Sequence, residues 1–288
     1  MANSKFTLSH QTEDAKHLAR ETATSPGMKA LARFGYAAKG IVYLIIGALA
    51  AKLAAGAPNQ TPDRNGAIHL IADQPFGKVL LGIVTVGFFS YALWSAIQAV
   101  FDPDHTGTDT KAILQRIGHA VIACSYVALG VGALLLVLGS GNSGKDSNAS
   151  TQSWTARLLS APFGVALVVI VGLIVVGVAC VLFYRVYKAD FRQSLHLASL
   201  RPQIQKVIIF IGRFGYAAQA VVFTIIGIFL IVAALQHNPS QAKGLDGALQ
   251  ELTRQPFGQA LLALVAVGLI AFGIYSLVEA RYRNLGSA

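Results

Sequence analysis

Six long apolar segments constrain the fold of this 288-residue chain more than any other feature. Each approaches or exceeds the roughly 20 residues that an α-helix needs to cross a bilayer. Because lipid offers backbone amides no hydrogen-bond partner, continuous helices are expected, and no segment alternates polar and apolar residues as a barrel strand does. The sequence predicts an all-α, polytopic membrane protein with transmembrane helices near 34–55, 77–101, 117–139, 163–184, 208–235 and 257–278.

Composition excludes an ordinary soluble protein. Hydrophobic residues make up 54% of the chain and charged residues 12%, whereas a soluble domain has roughly 25% charged residues. The net charge of +10 lies in short segments between apolar runs, which argues against a nucleic-acid partner. Cys124 and Cys180 lie inside apolar segments, so they indicate small packing residues rather than a disulfide framework.

The six segments form three copies of a two-helix unit. Each copy opens its first span with Arg-x-Gly followed by Tyr or His, and its second span with Pro-Phe-Gly. The first motif occupies residues 33–36, 116–119 and 213–216, and the second occupies residues 75–77, 162–164 and 256–258. Such a repeat predicts three parallel helical hairpins in a pseudo-threefold arrangement, each with a short amphipathic helix in its connecting loop.

The repeat also divides the chain into an N-terminal arm and three units. We place the arm at 1–29 and the repeats at 30–105, 106–192 and 193–283. Fifteen Lys and Arg residues fall on the side of the two termini and five on the opposite side. Since basic loops stay in the cytoplasm, both termini are predicted to be cytoplasmic.

Local explanations account for the Pro-Phe-Gly motif and for the many glycines. Proline suits the first turn of a helix, and the aromatic ring is expected at the lipid–water boundary. The following glycine lets a neighbouring backbone approach. Glycines along the spans are expected to let helices pack closely in lipid. The positions concerned are Gly35, Gly40, Gly47, Gly82, Gly87, Gly130, Gly132, Gly172, Gly177, Gly268 and Gly273.

The tandem Arg-x-Gly-Tyr hairpins with Pro-Phe-Gly openings resemble the bacterial membrane family known as domain of unknown function 1206 (DUF1206). The second copy departs from the pattern at His119 and has no Gln before Pro162. The resemblance implies three two-helix units in the bacterial cytoplasmic (inner) membrane and brings no activity with it. It is closest at Arg33, Gly35, Tyr36, Tyr43 and Gly47, and at Arg213, Gly215, Tyr216, Phe223 and Gly227.

A ring of basic residues is the predicted ligand site. One arginine stands at the mouth of each odd-numbered span, where it joins a positive helix N-terminus and can bind a lipid phosphate or a small anion. The alternative is that these arginines only reach head groups and set topology. An aromatic residue or histidine lies one turn deeper in each copy. The candidates are Arg33, Arg116, Arg213, Tyr36, His119 and Tyr216, with Lys39 as the seventh.

Lys39 enters the first span and has no equivalent in the other copies. It is either functional or close enough to the end of the span to reach the interface. Glu279, at the end of the last span, is expected to interact with nearby basic residues. The second span is the most polar, and its polar side chains either line a path or bond between helices. They are Ser90, Tyr91, Trp94, Ser95 and Gln98.

No catalytic motif is found in the sequence. Zinc-protease, phosphate-loop and nucleophile-elbow signatures are missing, no span carries an acid near its centre, and His119 has no second metal ligand at helical spacing. We therefore expect no cofactor or metal. The leading interpretation is a non-enzymatic scaffold or binding protein for membrane lipids or other membrane proteins. The alternatives are a channel or transporter for a small, anionic solute along the pseudo-threefold axis, and an enzyme acting on lipid.

Overall fold

The computed structural model describes residues 25–56, 62, 64–101, 110–139, 147–188, 195 and 200–283. Most of the predicted arm and Asp102 lie outside them. Nearly all of the described residues are helical. The nine α-helices within them are α1 (Pro26–Ala54), α2 (Arg64–Ala72), α3 (Gly77–Phe101), α4 (Thr110–Val137), α5 (Ser147–Leu159), α6 (Gly164–Lys188), α7 (Pro202–Leu235), α8 (Leu245–Thr253) and α9 (Gly258–Tyr282).

Six of these helices are long and apolar enough to cross a membrane: α1, α3, α4, α6, α7 and α9. This confirms the six predicted spans. The short helices α2, α5 and α8 lie between the two spans of each repeat, as predicted. Helices α1 and α7 begin earlier than the apolar pattern indicated, because each has a proline at its first position, where proline favours the start of a helix. The start of α1 is also capped, since the Ser25 hydroxyl accepts a hydrogen bond from the Met28 amide.

The three hairpins point the same way through the bundle. His69 of α2, Trp154 of α5 and Leu245 of α8 all line a single cavity, so the three short helices share one face. We call this side the loop face. The opposite side, where α1 begins and α9 ends, is called the terminal face. The predicted parallel arrangement is therefore confirmed.

Packing follows a cyclic order around a central axis. The first span of each repeat packs against the second span of another repeat: α1 on α9, α7 on α6, and α4 on α3. This is the pattern that pseudo-threefold symmetry requires. Within repeats, α1 packs on α3 and α7 on α9, whereas α4 and α6 are not among the extensively packed pairs in the described part of the chain.

Glycines allow backbones to touch where the spans cross. A Cβ atom added at Gly35 would lie 2.6 Å from the Tyr91 backbone, and one at Gly215 would lie 2.6 Å from the Phe272 backbone. At the α1–α9 crossing, a Cβ on Gly40 would lie 2.9 Å from the Gly273 carbonyl oxygen. These contacts confirm close packing at these glycines.

Three glycines of the predicted packing pattern do not serve this purpose. An added Cβ would meet nothing within 4 Å at Gly82, Gly132 or Gly177. The packing prediction was wrong for them, because the periodicity of small residues does not specify which helix face a partner covers. Gly132 instead lines the central cavity.

The Pro-Phe-Gly motif forms a tight turn and not a first helical turn. The helix begins at Gly77, two residues after Pro75, and the Gly77 amide donates to the Gln74 carbonyl at 2.7 Å. Proline therefore occupies the second position of a turn, where its fixed φ is favoured. The glycine prediction is confirmed, since a Cβ there would lie 2.0 Å from the Ala72 carbonyl oxygen.

All three phenylalanines of the motif adopt a left-handed backbone conformation. Their φ angles are 63°, 61° and 58° at Phe76, Phe163 and Phe257. Their side chains are 83%, 87% and 87% exposed. A left-handed residue with a Cβ costs roughly 1–2 kcal/mol, so each copy retains a strained residue that presents its ring outward.

Replacing Phe257 with glycine is expected to raise stability relative to Phe257→Ala by about 1 kcal/mol, because only glycine removes the Cβ strain. Both changes delete the exposed ring, so their difference isolates the backbone. Chemical unfolding in detergent micelles measures it. Equal stabilities for the two variants would contradict the assignment of strain.

Candidate functional site

A central cavity of about 470 Å³ lies between the spans and the short helices. The first spans of all three repeats contribute to its wall, through Tyr43 of α1, Ser125 of α4 and Gln219 of α7. Residues of α2, α5 and α8 surround it toward the loop face. The cavity therefore lies on the pseudo-threefold axis and is associated with the loop face.

The wall of this cavity is apolar along its length and polar at both ends. His69, Ser150 and Thr151 lie toward the loop face, and the Gln219 amide lies deeper, in a residue that is 8% exposed. None of the described lining residues is Lys, Arg, Asp or Glu. Such a surface favours an uncharged molecule with polar ends, since burying an unpaired charge there would be costly. Its aliphatic lining includes Leu129, Leu136, Val222, Ile226 and Leu269.

Aromatic side chains separate the cavity from the terminal face. The ring of Tyr43, which lines the cavity, meets Phe272 edge-on with centroids 4.8 Å apart. Phe272 also meets Tyr216 edge-on at 5.3 Å. The centroid of the Phe272 ring also lies 4.9 Å from the Lys39 ammonium. Phe272 therefore contacts both Tyr43 of the cavity wall and Lys39.

A buried ion pair lies next to these aromatic side chains. The Lys39 Nζ atom lies 3.5 Å from Glu279 Oε2, and the two side chains are 9% and 3% exposed. The other carboxylate oxygen of Glu279 accepts a hydrogen bond from Arg283 Nη1 at 3.0 Å. One carboxylate therefore holds two cations, from α1 and from the end of α9. Buried charges require such pairing to offset desolvation.

Aromatic rings surround the Lys39 ammonium. Its nitrogen lies 5.3 Å, 5.1 Å and 4.9 Å from the ring centroids of Tyr36, Tyr91 and Phe272, within cation–π range. It also donates a 3.4 Å hydrogen bond to the Tyr91 hydroxyl. The Tyr91 ring in turn meets Tyr126 of α4 edge-on at 4.6 Å, and the Phe272 ring meets Tyr216 of α7. Five of the six spans therefore contribute to the cluster around one ammonium.

Unpaired polar atoms lie on the two helices beside this cluster. Trp94 Nε1, Ser95 Oγ and Ser276 Oγ are buried and have no hydrogen-bond partner among the described residues. Their residues are 1%, 1% and 0% exposed. Ser276 precedes Glu279 by about one helical turn. Native proteins rarely leave buried polar groups unpaired, so this part of the interior requires an explanation.

The three predicted arginines lie apart from the cavity, whose described lining includes none of them. Arg33 and Arg213 are exposed, and Arg213 donates to the Tyr187 carbonyl at 3.5 Å, while Arg116 is half-buried. Their predicted place at helix N-termini was wrong. The helices begin at Pro26, Thr110 and Pro202, about two to three turns earlier. Phosphate binding by these arginines stays a prediction.

The structure brings Lys39, Tyr36 and Tyr216 together in one cluster. Tyr36 is 2% exposed and Tyr216 is 7% exposed. Lys39 is 7% exposed, so the interpretation that it reaches the interface was wrong. The expected contact of Glu279 with nearby bases is confirmed. His119, on α4, is half-buried.

Sequence reasoning missed Glu279 as a site residue because it stands near the end of its helix. Two signals pointed to it. Arg283 follows it at helical spacing, and Glu279 occupies in the third repeat the place of Gln98 in the first. Ser276 and Ser95 are equivalent in the same way. Alignment of the second spans would have indicated a shared polar position.

Comparison with known proteins identifies a family but no activity. The sequence profile of the family described as Domain of Unknown Function (DUF1206) matches residues 34–102, 117–189 and 214–283. The chain is also similar to a protein of Bacillus subtilis (strain 168) described as "Uncharacterized protein YxxB". The two are 33% identical over 262 residues, which cover 91% of this chain and 94% of that protein. No solved structure matches.

Proposed function

This chain belongs to the DUF1206 family, and we propose that it is a membrane-embedded binding protein that holds an uncharged, elongated amphiphile in its central cavity. The observation that supports this proposal is the chemistry of the cavity wall. It is apolar along its length, polar at both ends and, in its described part, without charged side chains. A lipid or lipid-like molecule with a neutral head group fits this chemistry.

The size of the cavity supports a specific site. Its volume of about 470 Å³ falls within the range of roughly 300–1,000 Å³ typical of ligand pockets. The described lining includes one histidine, His69, and contains neither a carboxylate nor a thiol. We therefore propose binding without chemical turnover, and membrane lipids as the primary partners.

The membrane and the orientation are part of the proposal. Basic residues concentrate on the terminal face, which supports cytoplasmic termini in a bacterial cytoplasmic membrane. In that orientation the cavity faces outward, toward the outer leaflet and the extracytoplasmic space. Its ligand would then enter from that side.

Gly132 offers a direct test of this proposal. It lines the cavity, and an added Cβ there meets nothing within 4 Å, so the backbone accepts a side chain at this position and Gly132→Leu is expected to occupy part of the cavity. We expect this variant to retain about tenfold less co-purified lipid-like ligand than the wild type. A tenfold loss of affinity corresponds to a loss of roughly 1.4 kcal/mol in binding free energy. Mass spectrometry of organic extracts from the purified full-length protein measures the loss.

Gly177→Leu is the matched control. Gly177 also has open space at its Cβ position, but it is exposed on α6 and is not among the described lining residues. Its ligand content is expected to equal that of the wild type. Equal ligand content in the Gly132 and Gly177 variants would reject the cavity as the binding site.

A channel or transporter is the second candidate function. The observation that favours it is that the cavity lies on the pseudo-threefold axis and is connected to the Lys39–Glu279 ion pair through Tyr43 and Phe272. An anionic solute is less well supported than a neutral one, because no described lining residue is cationic.

A further inference from the structure

We propose that the ligand of the central cavity crosses the membrane, and that the Lys39–Glu279 ion pair closes its route on the terminal face. This inference rests on the proposed binding function and extends it to transport. The structure then represents the state that is open to the loop face.

Side-chain contacts connect the cavity continuously with the ion pair. Tyr43 lines the cavity, Phe272 packs against Tyr43 at 4.8 Å, and the Lys39 ammonium lies 4.9 Å beyond Phe272. From Lys39 the chain of contacts runs to Glu279 and on to Arg283, whose side chain is 14% exposed. A single column of side chains therefore connects the cavity with the terminal face.

The ion pair lies at the contact between the first and the third repeat. Lys39 belongs to α1 of the first repeat, and Glu279 belongs to α9 of the third repeat. At the α6–α7 interface the equivalent residues are Arg185 and Gln219. At the α3–α4 interface they are Gln98 and Ile122. Only the α1–α9 interface has opposite charges at these positions. Loss of that pair would therefore free one interface selectively.

Unpaired polar atoms lie on two helices beside the ion pair. Ser95 Oγ and Trp94 Nε1 on α3, and Ser276 Oγ on α9, are buried without hydrogen-bond partners among the described residues. Unpaired burial is unfavourable. If α9 moves away from α1 on the terminal side, water or the ligand can reach these atoms. They would then line the path to the terminal face, which explains why polar residues occupy these packed positions.

The experiment uses two cysteine reporters in the full-length protein after Cys124→Ala and Cys180→Ala replacement. Ser276→Cys reports on the terminal side and Ser125→Cys on the cavity. Each is combined with the charge-free pair Lys39→Met and Glu279→Gln. Labelling rates with a small, membrane-impermeant methanethiosulfonate reagent are measured in open membrane fragments, so that the reagent reaches both faces.

We expect removal of the ion pair to change the two rates in opposite directions. The terminal reporter should react about tenfold faster, and the cavity reporter should react more slowly, because one population replaces the other. The matched control is Lys243→Met with Glu251→Gln, which removes an ion pair at the loop face. The control should leave the terminal reporter unchanged.

Opposite changes in the two labelling rates would support a protein that opens to one face while it closes to the other. Faster labelling of both reporters would show general loosening and overturn the proposal, as would unchanged rates. Should the double variant fail gel filtration, Lys39→Met alone is used, because Glu279 then keeps its contact with Arg283. The same opposite changes are expected from it, and unchanged rates again overturn the proposal.

Binding and transport fail in distinguishable ways. If the Gly132→Leu variant loses its ligand but the reporters do not respond, the protein binds without transporting. If the wild type retains no ligand at all, the binding function fails and transport fails with it.

Discussion

Replacing Glu279 with glutamine is expected to destabilise the protein by about 3–5 kcal/mol, because a buried ion pair loses its only anion. Lys39 would keep its aromatic neighbours and the Tyr91 hydroxyl but no counter-charge. Arg283 would lose the same partner. Unfolding in detergent micelles, followed by helical circular dichroism, measures the change.

A double-mutant cycle separates charge from packing in this prediction. Lys39→Met keeps an aliphatic side chain inside the aromatic cluster and leaves Glu279 paired with Arg283. The loss of stability should therefore be smaller than that of Glu279→Gln. The combined Lys39→Met and Glu279→Gln variant should be more stable than Glu279→Gln alone. Simple addition of the two losses would contradict a coupled pair.

Replacing Gly35 or Gly215 with alanine is expected to destabilise the protein by about 1–3 kcal/mol each, because the new methyl group would overlap the backbone of a neighbouring helix and force it to shift. In both cases the added Cβ lies 2.6 Å from a backbone atom, at Tyr91 and Phe272. The two sites are equivalent in the first and third repeats, so their losses should be similar.

Gly82→Ala is the control for this second prediction. Nothing lies within 4 Å of an added Cβ there, and alanine favours helix more than glycine does. Its stability should equal or exceed that of the wild type. The same unfolding assay applies. A loss at Gly82 comparable to that at Gly35 would show that helix packing does not determine the cost.

Much of this fold follows from local sequence. Apolar length predicts the six spans, and repetition of Arg-x-Gly and Pro-Phe-Gly predicts three equivalent hairpins. The close approach at Gly77 was also predictable, because only glycine allows a carbonyl so near. The left-handed backbone of Phe76 was not, since aromatic residues rarely adopt it.

The ion pair shows why the site itself could not be predicted. Lys39 and Glu279 lie in the first and last spans, and their contact depends on α1 packing against α9. No local pattern specifies that crossing. Symmetry was also misleading, because it suggested three equivalent arginine positions, whereas the Lys39–Glu279 ion pair occurs at a single interface. The chemistry is concentrated where the repeats have diverged.

The cavity could not be predicted from the sequence, for a related reason. Its wall combines residues from all three repeats, such as Tyr43, Ser125 and Gln219. These residues occupy different positions of the repeat, so aligning the three copies does not bring them together. An open glycine and a packed glycine look the same in sequence. Gly132 and Gly130 lie two residues apart, yet a Cβ at Gly130 would lie 3.0 Å from the Phe89 ring and one at Gly132 would meet nothing.

Three short helices line one side of a single cavity, which we propose holds an uncharged amphiphile. Cryo-electron microscopy of the full-length protein in lipid nanodiscs tests it most directly. We predict continuous, elongated density between Gly132 and Gln219, with α2, α5 and α8 on one face. A cavity filled by side chains or by separate water peaks, or a short helix on the opposite face, would contradict the account.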